Sequence, residues 1–468
     1  MNESPELRHR HSGLLSLLTF WHVAIFVVTT SWMFGGKIDW AKVPLSLWGT
    51  LSLGLTIAGF MSRRNQGQPL IRPLLWLLPA LLLGLQIVTS AFNLNFRVVP
   101  LFDSLVYRPV APLTWLPSGA KPVEALSELW LLFGLYLSGF TLALNVSSIR
   151  LLQRLMLVLA MNTTVLAVFG TLQELVHADM FFGWVKSPNP TFFGTFVYHN
   201  HWGPFALMGI MMWFALVPSL AGRDAGRGFY HSPAVGALVA ALLIAVTIPM
   251  TTSRSGTMML GVILLGITVV ESRRVITRTR RRGGSARAKV AGLCLATVLV
   301  AGAVYYMGGK TIRARIADTR SQLAAMKTQG SIGERATIYT TSLEIWRDKP
   351  WFGWGLESWE LLHRRRTPLT DRGDGIPIYY REAHSDWLCA LAETGGVGTL
   401  LLLAMGIVPL WSMRRQLKGS AFSLHLLAVN LLIALYAWVE FPLANPAVVL
   451  TYWVVLFTAV RHARLSAH

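Results

Sequence analysis

The stretch PLLWLLPALLLGLQIVTSAF, residues 73–92, contains no charged side chain. A helix of ~20 apolar residues is long enough to cross the hydrocarbon core of a bilayer. Runs of similar length and composition recur from one end of the chain to the other. The chain is therefore predicted to be an integral membrane protein rather than a soluble globular one.

The overall composition supports this prediction. Of the 468 residues, 53% are hydrophobic and 14% are charged, and the mean hydropathy is +0.49. In soluble domains, about a quarter of all residues are charged. The two cysteines, Cys294 and Cys389, lie in separate apolar segments, which indicates neither a disulfide framework nor a metal-binding pattern.

Twelve apolar segments are predicted to span the membrane, which makes the fold class an all-α integral membrane protein. The first segment follows Arg8 and Arg10 and is interpreted as an uncleaved helix. We expect helices 1–9 within residues 1–307, a large and partly helical outer loop at 308–383, and helices 10–12 within 384–468. The predicted spans are 14–34, 44–61, 73–92, 124–145, 150–175, 202–221, 233–252, 257–271, 289–307, 386–412, 421–440 and 446–460.

The distribution of Lys and Arg predicts the orientation of these spans. Most basic residues of the short segments fall on the side of the two termini, including the run Arg278–Arg282, so the termini are predicted to be cytoplasmic. The net charge of +20 is then explained by basic loops that face anionic lipid headgroups. Membrane lipids are the expected partners of this charge, and no nucleic acid is required.

Arg335 lies in the outer loop at the start of a predicted helix. The residues from Ser331 to Glu334 fit a capping box, with Ser331 as the N-cap, and Pro350 is expected to stop the helix. An arginine in the first turn lies beside free backbone N–H groups, which favours a phosphate site. The alternative is that Arg335 pairs with a surface carboxylate.

Arg254 lies in a very short outer turn between two predicted spans. An arginine at membrane depth is costly unless it pairs with another group or faces a polar cavity. A guanidinium can bind phosphate oxygens through two parallel hydrogen bonds, which suits a phosphate ligand. Snorkelling towards the headgroups is the alternative.

His384 opens the tenth predicted span, and the glycines at 395 and 396 are expected to break that helix. The dipole at a helix N-terminus disfavours the cationic imidazole, so the neutral base is favoured. This setting suits a general base at the water–membrane boundary. A structural role is the alternative for a lone interfacial histidine.

The sequence His199-Asn200-His201 follows Tyr198 at the start of the sixth predicted span. Two histidines separated by one residue could ligate a metal ion, but no Asp, Glu or Cys cluster accompanies them. Packing at the helix mouth and contact with a substrate are the favoured interpretations, and no metal site is predicted.

Taken together, these segments resemble the O-antigen ligase superfamily of bacterial membrane glycosyltransferases. The resemblance covers about residues 198–398 and rests on the order of four pieces around one large outer loop. The pieces are Tyr198-His199-Asn200-His201-Trp202; Ser253-Arg254-Ser255-Gly256; Glu334-Arg335 with Trp346-Arg347-Asp348-Lys349-Pro350-Trp351-Phe352-Gly353-Trp354-Gly355; and Ala383-His384-Ser385-Asp386-Trp387-Leu388 with Ala392-Glu393-Thr394-Gly395.

The resemblance implies a GT-C-like, inverting and metal-independent glycosyltransferase of the bacterial inner membrane, with no cofactor and a periplasmic active site. Its members join a glycan carried on undecaprenyl diphosphate to an acceptor outside the cytoplasm. Arg254, Arg335 and His384 match the family's catalytic positions. The expected substrate-binding residues are Arg254, Arg335, His199, His201, Tyr198 and Arg381.

Three members of the superfamily fit these motifs. The favoured prediction is the O-antigen ligase, which acts in lipopolysaccharide biosynthesis with lipid A-core as the acceptor. Its compact histidine motif and the absence of a further domain after the last span favour it over the O-antigen polymerase and the protein O-oligosaccharyltransferase. A lipid-linked glycan transporter or flippase is the alternative of another class, but no internal repeat supports it.

Overall fold

The computed structural model describes residues 5–101, 104–176, 180–189, 191–222, 231–251, 253–281, 285–295, 297–302, 305–306, 334–367 and 380–467. Most of these residues lie in helices, as the hydropathy pattern predicts. The labelled helices are α1 (Pro5–Trp32), α2 (Asp39–Asn65), α3 (Ile71–Phe92), α4 (Pro122–Asn145), α5 (Ile149–Leu175), α6 (His199–Ala221), α7 (Pro233–Met250), α8 (Arg254–Arg281), α9 (Glu334–Asp348), α10 (Trp359–Arg366), α11 (Asp386–Ser412), α12 (Arg414–Gly419), α13 (Ala421–Tyr436) and α14 (Pro446–Ser466).

Ten of the described helices are long and apolar enough to cross a membrane. They correspond to ten of the twelve predicted spans. The predicted span 289–307 lies only partly within the described residues, where 287–295 and 297–302 are helical. The predicted span 421–440 corresponds to the shorter helix α13.

The predicted end of span 421–440 is wrong by four residues, because α13 ends at Tyr436. Residues after Tyr436 form successive turns, in which Val439 N and Glu440 N both donate to the Tyr436 carbonyl, at 2.9 and 3.1 Å. Pro442 cannot donate to a continuing helix, and it disfavours helical backbone at the residue before it. Glu440 therefore lies in a loop and not inside a span.

The helices pack around α14, whose side chains are buried along most of its length. Small residues allow close crossings between neighbouring backbones, as in other membrane bundles. A Cβ added to Gly134 of α4 would lie 2.8 Å from the Cα of Gly49 in α2, and one added to Gly139 would lie 2.7 Å from the Trp453 backbone in α14. These two glycines let α4 lie directly against α2 and α14.

Two short antiparallel hairpins accompany the helices. Strand β1 (Phe96–Leu101) pairs with β2 (Ser104–Pro109), and β3 (Met180–Phe181) pairs with β4 (Val185–Lys186). The sequence did not predict either hairpin, because the apolar spans dominate its periodicity. Lys349 anchors the segment around β1 and β2: its Nζ donates to Asn95 and, at 2.7 Å, to Ser118 Oγ.

Two ion pairs identify the end of the helical bundle at which His384 lies. Lys37, just before α2, pairs with Glu382 at 2.8 Å, two residues before His384. Lys42 in the first turns of α2 pairs with Glu128 in the first turns of α4, at 3.2 Å. The last turns of α2, α4 and α14 therefore lie at the opposite end of the bundle.

Candidate active site

The loop between α13 and α14, residues 437–445, is the element on which the candidate site is built. It receives hydrogen bonds from Asp386 N, which donates to the Glu440 carbonyl at 3.3 Å, and from Lys37 Nζ, which donates to the Ala444 carbonyl at 3.1 Å. In return, Leu443 N donates to Asp386 Oδ2 at 2.8 Å. We call this segment the 437–445 loop.

Arg335 is the second described residue of α9 and is held by the 437–445 loop. Its Nη2 lies 2.6 Å from Glu440 Oε1, and its Nη1 donates to the Val439 carbonyl at 3.3 Å. The alternative of a carboxylate partner is therefore the one observed, although this carboxylate is buried. The predicted capping residues Ser331, Ile332 and Gly333 lie outside the described residues.

The two members of this ion pair differ in exposure. The Arg335 side chain is 53% exposed, whereas that of Glu440 is 3% exposed. Burial raises the pKa of the Glu440 carboxyl, and the Arg335 guanidinium opposes that rise only in part. The open side of Arg335 can therefore meet a ligand while its other side is paired.

His384 precedes α11 and has an unusual backbone. Its φ is +51°, a left-handed conformation that costs a non-glycine residue about 1–3 kcal/mol. Ser385 then caps α11 by accepting from Leu388 N at 3.3 Å. The Tyr339 hydroxyl of α9 donates to the His384 carbonyl at 3.0 Å, which ties the histidine to the helix that carries Arg335.

The His384 ring lies in a group of aromatic side chains. Its centroid is 5.0 Å from that of Phe441, with the rings edge to face, and 6.1 Å from that of Tyr380. Phe441 follows Glu440 directly, so the loop that pairs with Arg335 also positions the imidazole. Arg335 and His384 therefore contact adjacent residues of the same loop.

Tyr198 and His201 join the same aromatic group. Tyr198 stacks on Phe441 at 5.2 Å, and His201 meets Phe441 edge to face at 5.3 Å. Asn200 Nδ2 donates to the Tyr198 hydroxyl at 2.8 Å. Burial, together with the charge of Glu440, raises the pKa of Tyr198 to about 12, so this phenol stays neutral.

His199 faces a different neighbour. Its Nδ1 lies 3.0 Å from both the carbonyl and the hydroxyl oxygen of Thr191. Among the described residues, no group of three or more His, Cys, Asp or Glu side chains could hold a metal ion. Both histidine rings of the motif lie near the Tyr198 ring, at 4.8 Å for His199 and 5.2 Å for His201. Metal independence stays a prediction.

Arg254 is the first residue of α8, and its side chain is exposed. The next residue, Ser255, lies with its Oγ 2.9 Å from the Tyr436 hydroxyl. Tyr436 ends α13 immediately before the 437–445 loop. The hydrogen bond between Ser255 and Tyr436 therefore connects the start of α8, where Arg254 lies, to the end of α13 beside the 437–445 loop.

Arg381 is exposed and adjoins Glu382. Although burial lowers the pKa of Lys37, its pair with Glu382 outweighs that effect and the pKa is raised. Lys37 therefore stays charged and joins the segment before His384 to the 437–445 loop. Arg381 is placed beside this junction.

The predicted break in α11 is confirmed and has a structural role. Gly395 has φ +66° and ψ −172°, and a Cβ there would overlap the Trp351 carbonyl. The kink exposes backbone groups to the segment after α9: Gly396 N donates to the Pro350 carbonyl at 2.8 Å, and Gly355 N donates to the Glu393 carbonyl at 2.8 Å. These bonds hold α9 against the helix that follows His384.

Sequence reasoning missed Glu440, Phe441 and Tyr339. Glu440 is an acid at the edge of an apolar run, and a carboxylate inside a predicted span is itself a sign of function. Tyr339 lies one helical turn after Arg335, on the same face of α9. Phe441 had no comparable signal, because an aromatic residue beside apolar spans is ordinary.

Comparison with known proteins adds one finding. Residues 239–403 match the family model described as O-Antigen ligase, and this range includes Arg254, Arg335 and His384. A search of curated proteins found no match. The matched range runs from within α7 to within α11 and contains the kinked helix, and this match supports membership of the O-antigen ligase superfamily.

Proposed function

We propose that this chain is an O-antigen ligase, which transfers O-antigen glycan from undecaprenyl diphosphate to a sugar hydroxyl of lipid A-core. One observation carries the proposal: Arg335 and His384 contact adjacent residues of the 437–445 loop, Glu440 and Phe441 respectively. A phosphate-binding cation and a base in one place are what transfer from a lipid diphosphate requires. Membership of a glycosyltransferase-type superfamily supports the same chemistry.

In the proposed reaction, the acceptor hydroxyl oxygen attacks the anomeric carbon on the face opposite the diphosphate. A ring nitrogen of His384 takes the proton of that hydroxyl. The bond between the anomeric carbon and the phosphate oxygen breaks, and its electron pair leaves with undecaprenyl diphosphate. The configuration at the anomeric carbon is therefore inverted.

Arg254 and Arg335 are proposed to hold the diphosphate and to offset the charge that develops on it. Fixed cations near a developing charge stabilise the transition state strongly, because they need little reorganisation during the reaction. Glu440 holds Arg335 at the inner edge of the site, so the diphosphate approaches the exposed side of the guanidinium. Tyr198, His199, His201 and Arg381 are proposed to contact the substrates.

The proposed location is the inner membrane of a Gram-negative bacterium. The basic residues of the short segments favour cytoplasmic termini, which would place His384 and the 437–445 loop on the periplasmic side. Both proposed substrates are lipid-anchored, so binding in the same membrane would align them and remove much of the entropic cost of the reaction.

The purified protein can be given one undecaprenyl-diphosphate-linked glycan and, in separate reactions, lipid A-core, an acceptor protein or a second lipid-linked glycan. We expect product with lipid A-core. Product only with the second glycan would identify a polymerase, and product only with protein would identify a protein O-oligosaccharyltransferase. Movement of the donor across a vesicle membrane with no transfer to any acceptor would identify a transporter or flippase.

A further inference from the structure

Four arginines gather at the end of the bundle opposite His384. Arg63 lies in the last turn of α2, Arg72 in the first turn of α3, and Arg461 and Arg464 near the end of α14. They are close enough to repel one another: Arg63 and Arg464 both repel Arg461, and Arg72 repels Arg464. We call these residues the four-arginine cluster.

The two inner members of the cluster bind the end of α4. Arg63 donates from Nε and Nη2 to the Leu144 carbonyl, at 3.3 and 3.2 Å, and Arg461 Nε donates to the Val146 carbonyl. A helix C-terminus carries only about half a negative charge. The end of α4 therefore neutralises a small part of the charge that surrounds it.

Within the described side chains, no Asp or Glu forms an ion pair with any of the four arginines. Arg63 is only 5% exposed, and its Nη1 is buried without a hydrogen-bond partner among the described residues. A buried cation that has no compensating anion is strongly unfavourable. Among the described residues, the cluster thus has positive charge without a carboxylate partner and one donor, Arg63 Nη1, without an acceptor.

The four side chains differ in exposure, so an anion from solvent or from the membrane surface can reach the cluster from one side. Arg63 and Arg461 are buried, Arg464 is half-buried and Arg72 is exposed. The cluster therefore opens outwards past Arg464 and Arg72, at the depth where the helices leave the membrane. Basic pockets between helices at this depth suit lipid headgroups.

We propose that the four-arginine cluster binds the phosphate of an anionic phospholipid headgroup. A guanidinium matches phosphate oxygens with two parallel hydrogen bonds, and Arg63 Nη1 supplies a donor that no described residue accepts from. The site lies at the opposite end of the bundle from Arg335 and His384, so it is separate from the proposed glycosyl transfer.

The test compares the full chain in detergent micelles doped with phosphatidylglycerol, with phosphatidylcholine, or with neither lipid but with inorganic phosphate. The variant is the double substitution Arg72→Gln and Arg464→Gln, because neither residue caps α4. The matched control is Arg154→Gln, an exposed arginine near the start of α5 at the same end of the bundle. Thermal unfolding and native mass spectrometry report binding.

We expect phosphatidylglycerol, but not phosphatidylcholine, to raise the Tm of the wild type and of the control. The double variant should bind phosphatidylglycerol at least about tenfold more weakly, since each arginine near a membrane surface contributes several-fold to anionic lipid binding. An equal response to both lipids, or wild-type affinity in the double variant, would overturn the proposal. A Tm shift from inorganic phosphate alone, without one from lipid, would show a free anion site instead.

Discussion

Arg335 is the residue whose surroundings bear most directly on donor binding. It lies near the first described residue of α9 and keeps an exposed side next to the loop that holds it. We predict that Arg335→Ala and Arg254→Ala each reduce transfer by at least about a hundredfold. Lysine should restore only part of the rate, because it lacks the planar fork that binds two phosphate oxygens.

The measurement is glycan transfer by purified variants whose folding is checked by thermal unfolding. Arg154→Gln, far from the site in α5, is the matched control and should retain full activity. Wild-type rates in both alanine variants would contradict the proposed diphosphate contact.

His384 combines a strained backbone with a ring that lies near the rings of Phe441 and Tyr380. We predict that His384→Ala binds the lipid-linked donor normally but transfers glycan about 10²–10⁴-fold more slowly, which is the usual contribution of a positioned base. His384→Gln should also be inactive, because an amide cannot take the proton.

Donor binding and transfer are therefore measured on the same folded preparation. Normal donor binding with full transfer would place the base elsewhere, and Glu382 would be the next candidate. Weak donor binding in the alanine variant would instead indicate that His384 has a structural role.

The raised pKa of Glu440 leads us to expect that the stability of the protein depends on pH. Its pKa is raised by burial, so the folded protein binds more protons than the unfolded chain at pH values between the ordinary glutamate pKa and the raised one. Stability from this group falls as pH rises through that window. We predict that the Tm of Glu440→Gln changes less across the window than the wild-type Tm.

The readout is the difference between the two Tm curves from pH 4 upwards in one detergent. A wild-type Tm that rises more steeply than that of the variant over this range would contradict the assignment, because it would require a lowered pKa for Glu440.

At the scale of elements, α11 and the segment after α9 are joined through a glycine kink. Gly395 has a positive φ, and a Cβ there would overlap the Trp351 carbonyl. We predict that Gly395→Ala destabilises the protein by about 1–3 kcal/mol. It should also lower transfer, because α9 carries Arg335 and is held by this junction.

Gly396→Ala is the matched control for that variant. Its nearest neighbour would be the Pro350 carbonyl oxygen at 3.4 Å, and its φ is not positive. Thermal unfolding and transfer are measured for both. Equal stability of the two alanine variants would mean that the kink does not require a glycine.

The whole molecule presents arginines at both ends but, among its described residues, no group of side chains that could hold a metal ion. If fixed cations carry the charge of the diphosphate, transfer needs no divalent ion. We predict that exhaustive chelation leaves the rate nearly unchanged. Loss of activity with EDTA, restored by magnesium or manganese, would contradict this mechanism.

The sequence by itself determined the helical membrane class, the approximate spans and the order of the family motifs. These properties follow from local composition, because the hydrocarbon core admits only long apolar helices whose backbone groups are satisfied internally. The end of α9 before Pro350 and the break at Gly395 were likewise predictable, since prolines and glycines act on neighbouring residues.

Only the tertiary structure decided which residues meet. Arg335 and Glu440 are separated by 105 positions, and neither periodicity nor a local motif connects them. Phe441 became the centre of the aromatic group because α13 ends four residues earlier than its apolar run suggests. The four arginines at the opposite end lie on three different helices, so their proximity is visible only once those helices are packed together.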